Sequence, residues 1–115
     1  MRQLSICIFI GLFFSLLCAP CNCRASDAEI RHLNIASTIN PVTASFVSKQ
    51  VELANQQNNR AILIQLDTPG GLDSAMREII QAELKSEIPV IVYVGPQGAR
   101  AASAGALITL AADFA

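Results

Sequence analysis

Past residue 25 the chain has no cysteine: Cys7, Cys18, Cys21 and Cys23 all lie within its first 23 residues. A disulfide framework is thereby excluded even in an oxidising compartment, as is any metal site built on thiolate. Histidine is almost as scarce. His32 is the only one, which leaves nothing for a His-rich zinc site. Positive charge is sparse too. From Ser26 onward six basic residues stand against nine acidic ones, a formal charge of −3, with no basic patch and no interleaved aromatic series. Such a surface is not built for nucleic acid. A run long enough to span a bilayer is also missing. The longest apolar stretch, Leu4 to Cys18, is short of the roughly 20 residues a membrane helix needs.

That stretch follows Arg2 and precedes small residues around Ala25, the pattern of an export signal. The expectation is a signal peptide over residues 1–25, cut after Ala25 with Cys23 at the third position before the cut. No lipoprotein cleavage pattern precedes Cys21, so no lipid anchor is expected. Residues 26–115 form one domain at most, with a modest core. No internal repeat or low-complexity tract interrupts them.

Ile30 to Ser37 alternates enough to predict a first strand. Asn40-Pro41 marks a helix start, Asn as the cap and Pro in the first turn. On a 3.6-residue wheel Val42, Phe46 and Leu53 fall within about 40° of one another, predicting the apolar side of that helix. The polar run from Asn55 to Asn59 ends it. Ala61 to Leu66 is a short apolar run and predicts a buried strand, broken by Asp67-Thr68-Pro69-Gly70-Gly71. In the next helix Leu72, Ala75, Met76, Ile79 and Ile80 share one face, while Ser74, Arg77, Glu78, Gln81 and Lys85 share the other. Pro89 opens a second buried-strand run, Val90 to Val94. Gly95 to Gly98 is a loop, and Ala101 to Ala112, small and apolar, predicts a buried helix.

The order β-α-β-α-β-α implies an α/β fold with parallel strands. Sites in such folds form beyond the carboxyl ends of the strands. Two loops fall there. In Asp67 to Gly71 the paired glycines permit close backbone approach, and free N–H groups at a helix start can hold an oxyanion. In Gly98 to Gly105, Ser103 lies at or near a helix start among small residues that leave room for a substrate carbonyl. Taken alone, the first loop reads as a plain turn with a helix start and Ser103 as an N-cap among small packing residues. Together they offer oxyanion donors and a nucleophile, the requirements of acyl transfer. His32, on the first strand, has no evident route to Ser103, so a Ser-His-Asp triad is not expected. Arg100 reads as a solvated or substrate-facing charge.

The segments LIQLDTPGGLDSAMREII and IPVIVYVGPQGARAASAGALITLAA resemble the NfeD-type membrane-bound serine peptidases, relatives of Clp protease and signal peptide peptidase A. The likeness runs from about Ile30 to Ala115. It implies a Clp protease/crotonase-like spiral of βαβ units with parallel strands, of which residues 26–115 are an incomplete N-terminal part. It also implies a Ser-Lys dyad with Ser103 as nucleophile, and Gly71, with Gly70 beside it, and Ala104 as backbone oxyanion donors. The general-base lysine of the family follows the serine by some forty residues, beyond Ala115, so this chain alone is expected to be inactive. Lys49 and Lys85 fall on exposed helical faces. The resemblance further implies an apolar protein or peptide substrate, a stomatin-like membrane partner, a homo-oligomer, no cofactor, and a membrane-associated domain on the non-cytoplasmic side. Two rivals stand: a crotonase-type acyl-CoA enzyme, against which Ser103 argues, and a non-catalytic scaffold in a membrane complex.

Overall fold

Three strands and three helices alternate along residues 29–115, the residues that the computed structural model describes. The expected signal peptide lies outside them. The order is β1 (Ile30–Ile35), α1 (Pro41–Gln56), β2 (Ala61–Leu66), α2 (Asp73–Leu84), β3 (Val90–Val94) and α3 (Ala104–Ala111). The strands form one parallel sheet in the order β1-β2-β3. Leu33 lies opposite Ile64, and Ile64 opposite Val92. Because side chains alternate across a strand, this register puts Leu33, Ile35, Ile62, Ile64, Leu66, Val90 and Val92 on one buried face. The helices pack over it, α2 between α1 and α3. On the other face His32, Asn34 and Tyr93 are exposed. Each fully buried aliphatic side chain contributes about 1.5–3 kcal/mol by leaving water.

Local signals explain the boundaries. The Asn40 side chain accepts hydrogen bonds from the N–H groups of Val42 (2.9 Å) and Thr43 (3.0 Å), capping α1, a contact typically worth about 1 kcal/mol. β2 and β3 coincide with the apolar runs that predict them. β1 ends at Ile35, two residues before the expected Ser37. α3 starts at Ala104 instead of Ala101, because Ala101 is held extended in a bridge to Thr68.

The expected apolar side of α1 requires correction. Val42 is 79% exposed and Phe46 44%. The buried positions are Ala44, Val47, Val51 and Ala54. Ala44 and Ala54 let the helix approach the sheet and α2 closely, with Val47 and Val51 packed beside them, while Val42 and Phe46 face out.

Asn55 Oδ1 accepts from Glu87 N–H (3.2 Å), tying the end of α1 to the turn before β3. After α3 the chain returns to the free edge of β3: Val92 N–H donates to Phe114 O (2.9 Å), and Val90 N–H to Asp113 Oδ2 (2.8 Å). Near the end of α2, Glu83 is 4% exposed and neither carboxylate oxygen has a hydrogen-bond partner among the described residues. Burial, and secondarily the charge of Asp113, pushes its carboxyl up to about 8.

Candidate active site

The loops after β2 and β3 both leave the carboxyl end of the sheet, and they are bound to one another. Thr68 N–H donates to Arg100 O (2.7 Å), Ala102 N–H donates to Thr68 O (3.1 Å), and Asp67 Oδ1 accepts from Arg100 N–H (3.1 Å). This short ladder extends the pairing of β2 with β3 past the strand ends. It delivers Ser103 directly against the glycine turn. A Cβ built on Gly70 would lie 2.9 Å from Ser103 Cβ and 3.1 Å from Ala102 O, and Gly70 itself has φ +110°, so only glycine suits this position. Gly71 is constrained from the other side: a Cβ there would come within 1.9 Å of Ile39 O.

Ser103 has φ 52° and ψ −112°, a conformation non-glycine residues rarely adopt. Its hydroxyl makes no capping bond to α3, and its side chain is exposed. The reading of Ser103 as a plain N-cap therefore fails at the one contact that defines a cap. A serine strained on a sharp turn into a helix, with its hydroxyl uncommitted, has the backbone character of a nucleophile elbow.

The donors around it divide into engaged and free. Gly70 N–H donates to Thr68 Oγ1 (3.1 Å), so Gly70, one of the expected donors, spends its N–H inside its own turn. The N–H groups of Gly71 and Ala104 donate to no acceptor among the described residues. Gly71, Ser103 and Ala104 together line a pocket of about 250 Å³, with Asp73, Met76 and Leu107 completing its wall. Asp73, Met76 and Leu107 also line a larger groove between α2 and α3 that adds Ile80 and Leu110.

Other candidates stand apart. His32, exposed on β1, and Lys49 and Lys85, exposed on α1 and just past α2, do not line this pocket. Arg100 contributes its backbone to the ladder, and its side chain is exposed. Two features escaped the sequence reading. The strain at Ser103 has no glycine to signal it, and the buried Thr68 passed as one more turn residue. Gly105 was the available clue, since a Cβ there would lie 2.5 Å from Thr68 Cγ2.

This parallel α/β architecture is that of the ClpP-like proteases. A ClpP1 variant from Listeria monocytogenes superposes with a TM-score of 0.61 at 31% identity, over 71% of this chain and 46% of that one. The NfeD1b N-terminal domain family matches residues 29–114, and the chain belongs to it. The membrane-bound protease PH1510 of Pyrococcus horikoshii is 47% identical over 76 residues, 66% of this chain and 17% of that protein. Membrane protein NfeD1b of Bacillus subtilis is 33% identical over 105 residues, 90% of this chain and 23% of that protein. The chain thus spans less than a quarter of the length of either relative. Among solved structures, a lysine-to-alanine variant of the P. horikoshii membrane-bound stomatin-specific protease 1510-N, in complex with a substrate peptide, superposes with a TM-score of 0.72 at 41% identity, over 76% of this chain and 40% of that one. No helix among the described residues is long and apolar enough to cross a membrane.

Proposed function

We propose that this chain is the N-terminal part of a membrane-associated serine endopeptidase of the NfeD type, with Ser103 as nucleophile. One observation carries the reading. The uncapped hydroxyl of Ser103, on a strained turn, shares a single pocket with the unengaged N–H groups of Gly71 and Ala104. Ser103 Oγ attacks the scissile carbonyl carbon and forms an ester to it. The carbonyl oxygen takes negative charge and is held by Gly71 and Ala104 N–H. The proton from Oγ passes to a base and then to the leaving amine, and water hydrolyses the ester to restore the hydroxyl.

The base in this reading is a lysine beyond Ala115. Lysine can take the proton only where burial lowers its pKa from about 10.4 towards neutrality. Lys49 and Lys85 are exposed, which removes that lever. Support for a lysine comes from the relative 1510-N, in which the residue replaced in the substrate-peptide complex is a lysine. The substrate in this reading is an apolar segment of a membrane-associated, stomatin-like protein. Met76 and Leu107 beside Ser103 favour apolar side chains, and 1510-N is itself described as stomatin-specific. The domain would face away from the cytoplasm, behind the signal peptide expected over residues 1–25.

Cleavage of a quenched apolar peptide by the full-length protein, wild type beside Ser103→Ala, tests the reading. The variant should fold and fail to cleave. Equal cleavage by both proteins removes Ser103 from the chemistry and leaves the scaffold role.

A further inference from the structure

The peptide unit between Gly70 and Gly71 is the one whose direction matters most to the proposed site, since its N–H is an oxyanion donor. It is also the one most free to turn, having glycine on both sides. Something must fix it. We infer that Thr68 is the positioning residue that aims the Gly71 N–H into the pocket. This rests on the reading of Ser103 and its oxyanion donors given above.

Thr68 is fully buried. Its Oγ1 accepts a hydrogen bond from Gly70 N–H at 3.1 Å and donates one to Gly70 O at 3.3 Å. Gly70 O also accepts from Ile39 N–H at 2.9 Å. The carbonyl of the Gly70–Gly71 peptide is thus held by two donors on the inner side of the turn. A peptide unit is planar, and this one is trans, so its C=O and N–H point in opposite directions. Holding the carbonyl inward therefore turns the Gly71 N–H outward, to the side where Gly71, Ser103 and Ala104 line their common pocket.

The same residue sets the other half of the site. The Thr68 backbone bonds to Arg100 O and Ala102 N–H, which fixes the segment running into Ser103. Its methyl Cγ2 fills the space left by the missing side chain of Gly105, in the first turn of α3. One buried side chain thus connects the turn bearing one proposed donor to the helix start bearing the nucleophile and the other donor. Its hydroxyl and methyl make separable contributions: the hydroxyl orients the glycine peptide, and the methyl packs against α3.

Isosteric replacement separates them. Thr68→Val keeps the shape and removes the hydroxyl, while Thr68→Ser keeps the hydroxyl and removes the methyl. The assay is cleavage of a quenched apolar peptide by full-length protein, with kcat and KM measured separately and folding checked by circular dichroism. Thr68→Val should lower kcat by about 10- to 100-fold with KM nearly unchanged. That is short of the 10²–10³ that complete loss of one oxyanion donor costs, because Ile39 N–H still holds the carbonyl. Thr68→Ser should stay within about threefold of wild type in kcat. Should the valine variant fail to fold, Thr68→Ser and Thr68→Ala differ from each other by the hydroxyl alone, and the alanine variant should be slower by the same factor.

Ser103→Ala is run alongside. If it cleaves like wild type, the reading of the site falls and this inference with it. If Ser103→Ala is inactive while a folded Thr68→Val cleaves at the wild-type kcat, or Thr68→Ser is as slow as Thr68→Val, the site stands and the positioning role of Thr68 is overturned.

Discussion

The two loops at the carboxyl end of the sheet solve opposite problems. Asp67 to Leu72 brings backbone close to its neighbours, and it does so by removing side chains: Gly70 lies against Ser103, and Gly71 against the Ile39 carbonyl. In the proposed site Gly95 to Ser103 presents a side chain, so glycine cannot stand at its critical position. Ser103 accepts a φ of 52° with its Cβ in place. A backbone left in that region by a non-glycine residue costs about 1–3 kcal/mol and persists only when its surroundings over-determine it. The surroundings here are the ladder from Asp67 and Thr68 to Arg100 and Ala102. In the proposed site the relaxed loop supplies one donor, and the strained one supplies the nucleophile with the second donor just after it. The relaxed loop is what holds the strained one in place.

Substitutions that exchange these characters give the largest effects. Ser103→Ala keeps the backbone and removes the proposed nucleophile. Cleavage by the full-length protein should fall by several orders of magnitude, towards the roughly 10⁶ seen when an activated serine is lost, with the thermal midpoint unchanged. Gly71→Ala gives the donor loop a side chain where Ile39 O already lies. The loop must shift, and kcat should drop by about 10²–10³ with a lowered thermal midpoint. Both losses are read from cleavage kinetics and melting curves of the same preparations.

Ser103→Gly makes the nucleophile loop as permissive as the donor loop. Relief of strain, reduced by the greater freedom of glycine in the unfolded chain, should stabilise the domain by about 1 kcal/mol while activity is lost. Chemical denaturation of Ser103→Gly against Ser103→Ala measures the difference. Equal stability would mean that the two loops do not differ in strain.

A control lies near the other end of α2, away from both loops. Glu83 has its pKa raised on folding from 4.5 to about 8. Between those values the folded state keeps a proton that the unfolded chain has released, so the contribution of Glu83 to stability is greatest below about pH 4.5 and declines as pH rises towards 8. Hydrogen exchange of the α2 amides, corrected for intrinsic rates, should show weaker protection at pH 8 than at pH 5. Glu83→Gln should flatten that dependence. His32→Ala should have the smallest effect of all, leaving kcat unchanged. A loss of activity there would bring a histidine into the chemistry.

The difference between the loops also explains what could be read from the residues alone. β2 and β3 were legible because short apolar runs with hard stops leave little choice of boundary. Asn40 was legible as a cap because its chemistry is local. The buried face of α1 was not, since Ala44 and Ala54 gain their place from how closely α1 meets the sheet and α2, a property of the pair and not of the helix. In the donor loop the glycines announced themselves. At Ser103 the residue type says nothing of a left-handed backbone, because that conformation is imposed by Thr68 and Arg100 across the gap between two strands. Thr68 looked like a turn residue for the same reason: its hydroxyl bonds are local, but their consequence is the direction of another residue's N–H.

The most direct measurement is covalent. Full-length protein is treated with a fluorophosphonate, which forms a stable ester with an activated serine hydroxyl, and the adduct is located by mass spectrometry after digestion. The account predicts a single modified peptide carrying the adduct on Ser103, with cleavage activity lost in proportion to labelling. An adduct on another residue, or full inactivation with Ser103 unmodified, would contradict it.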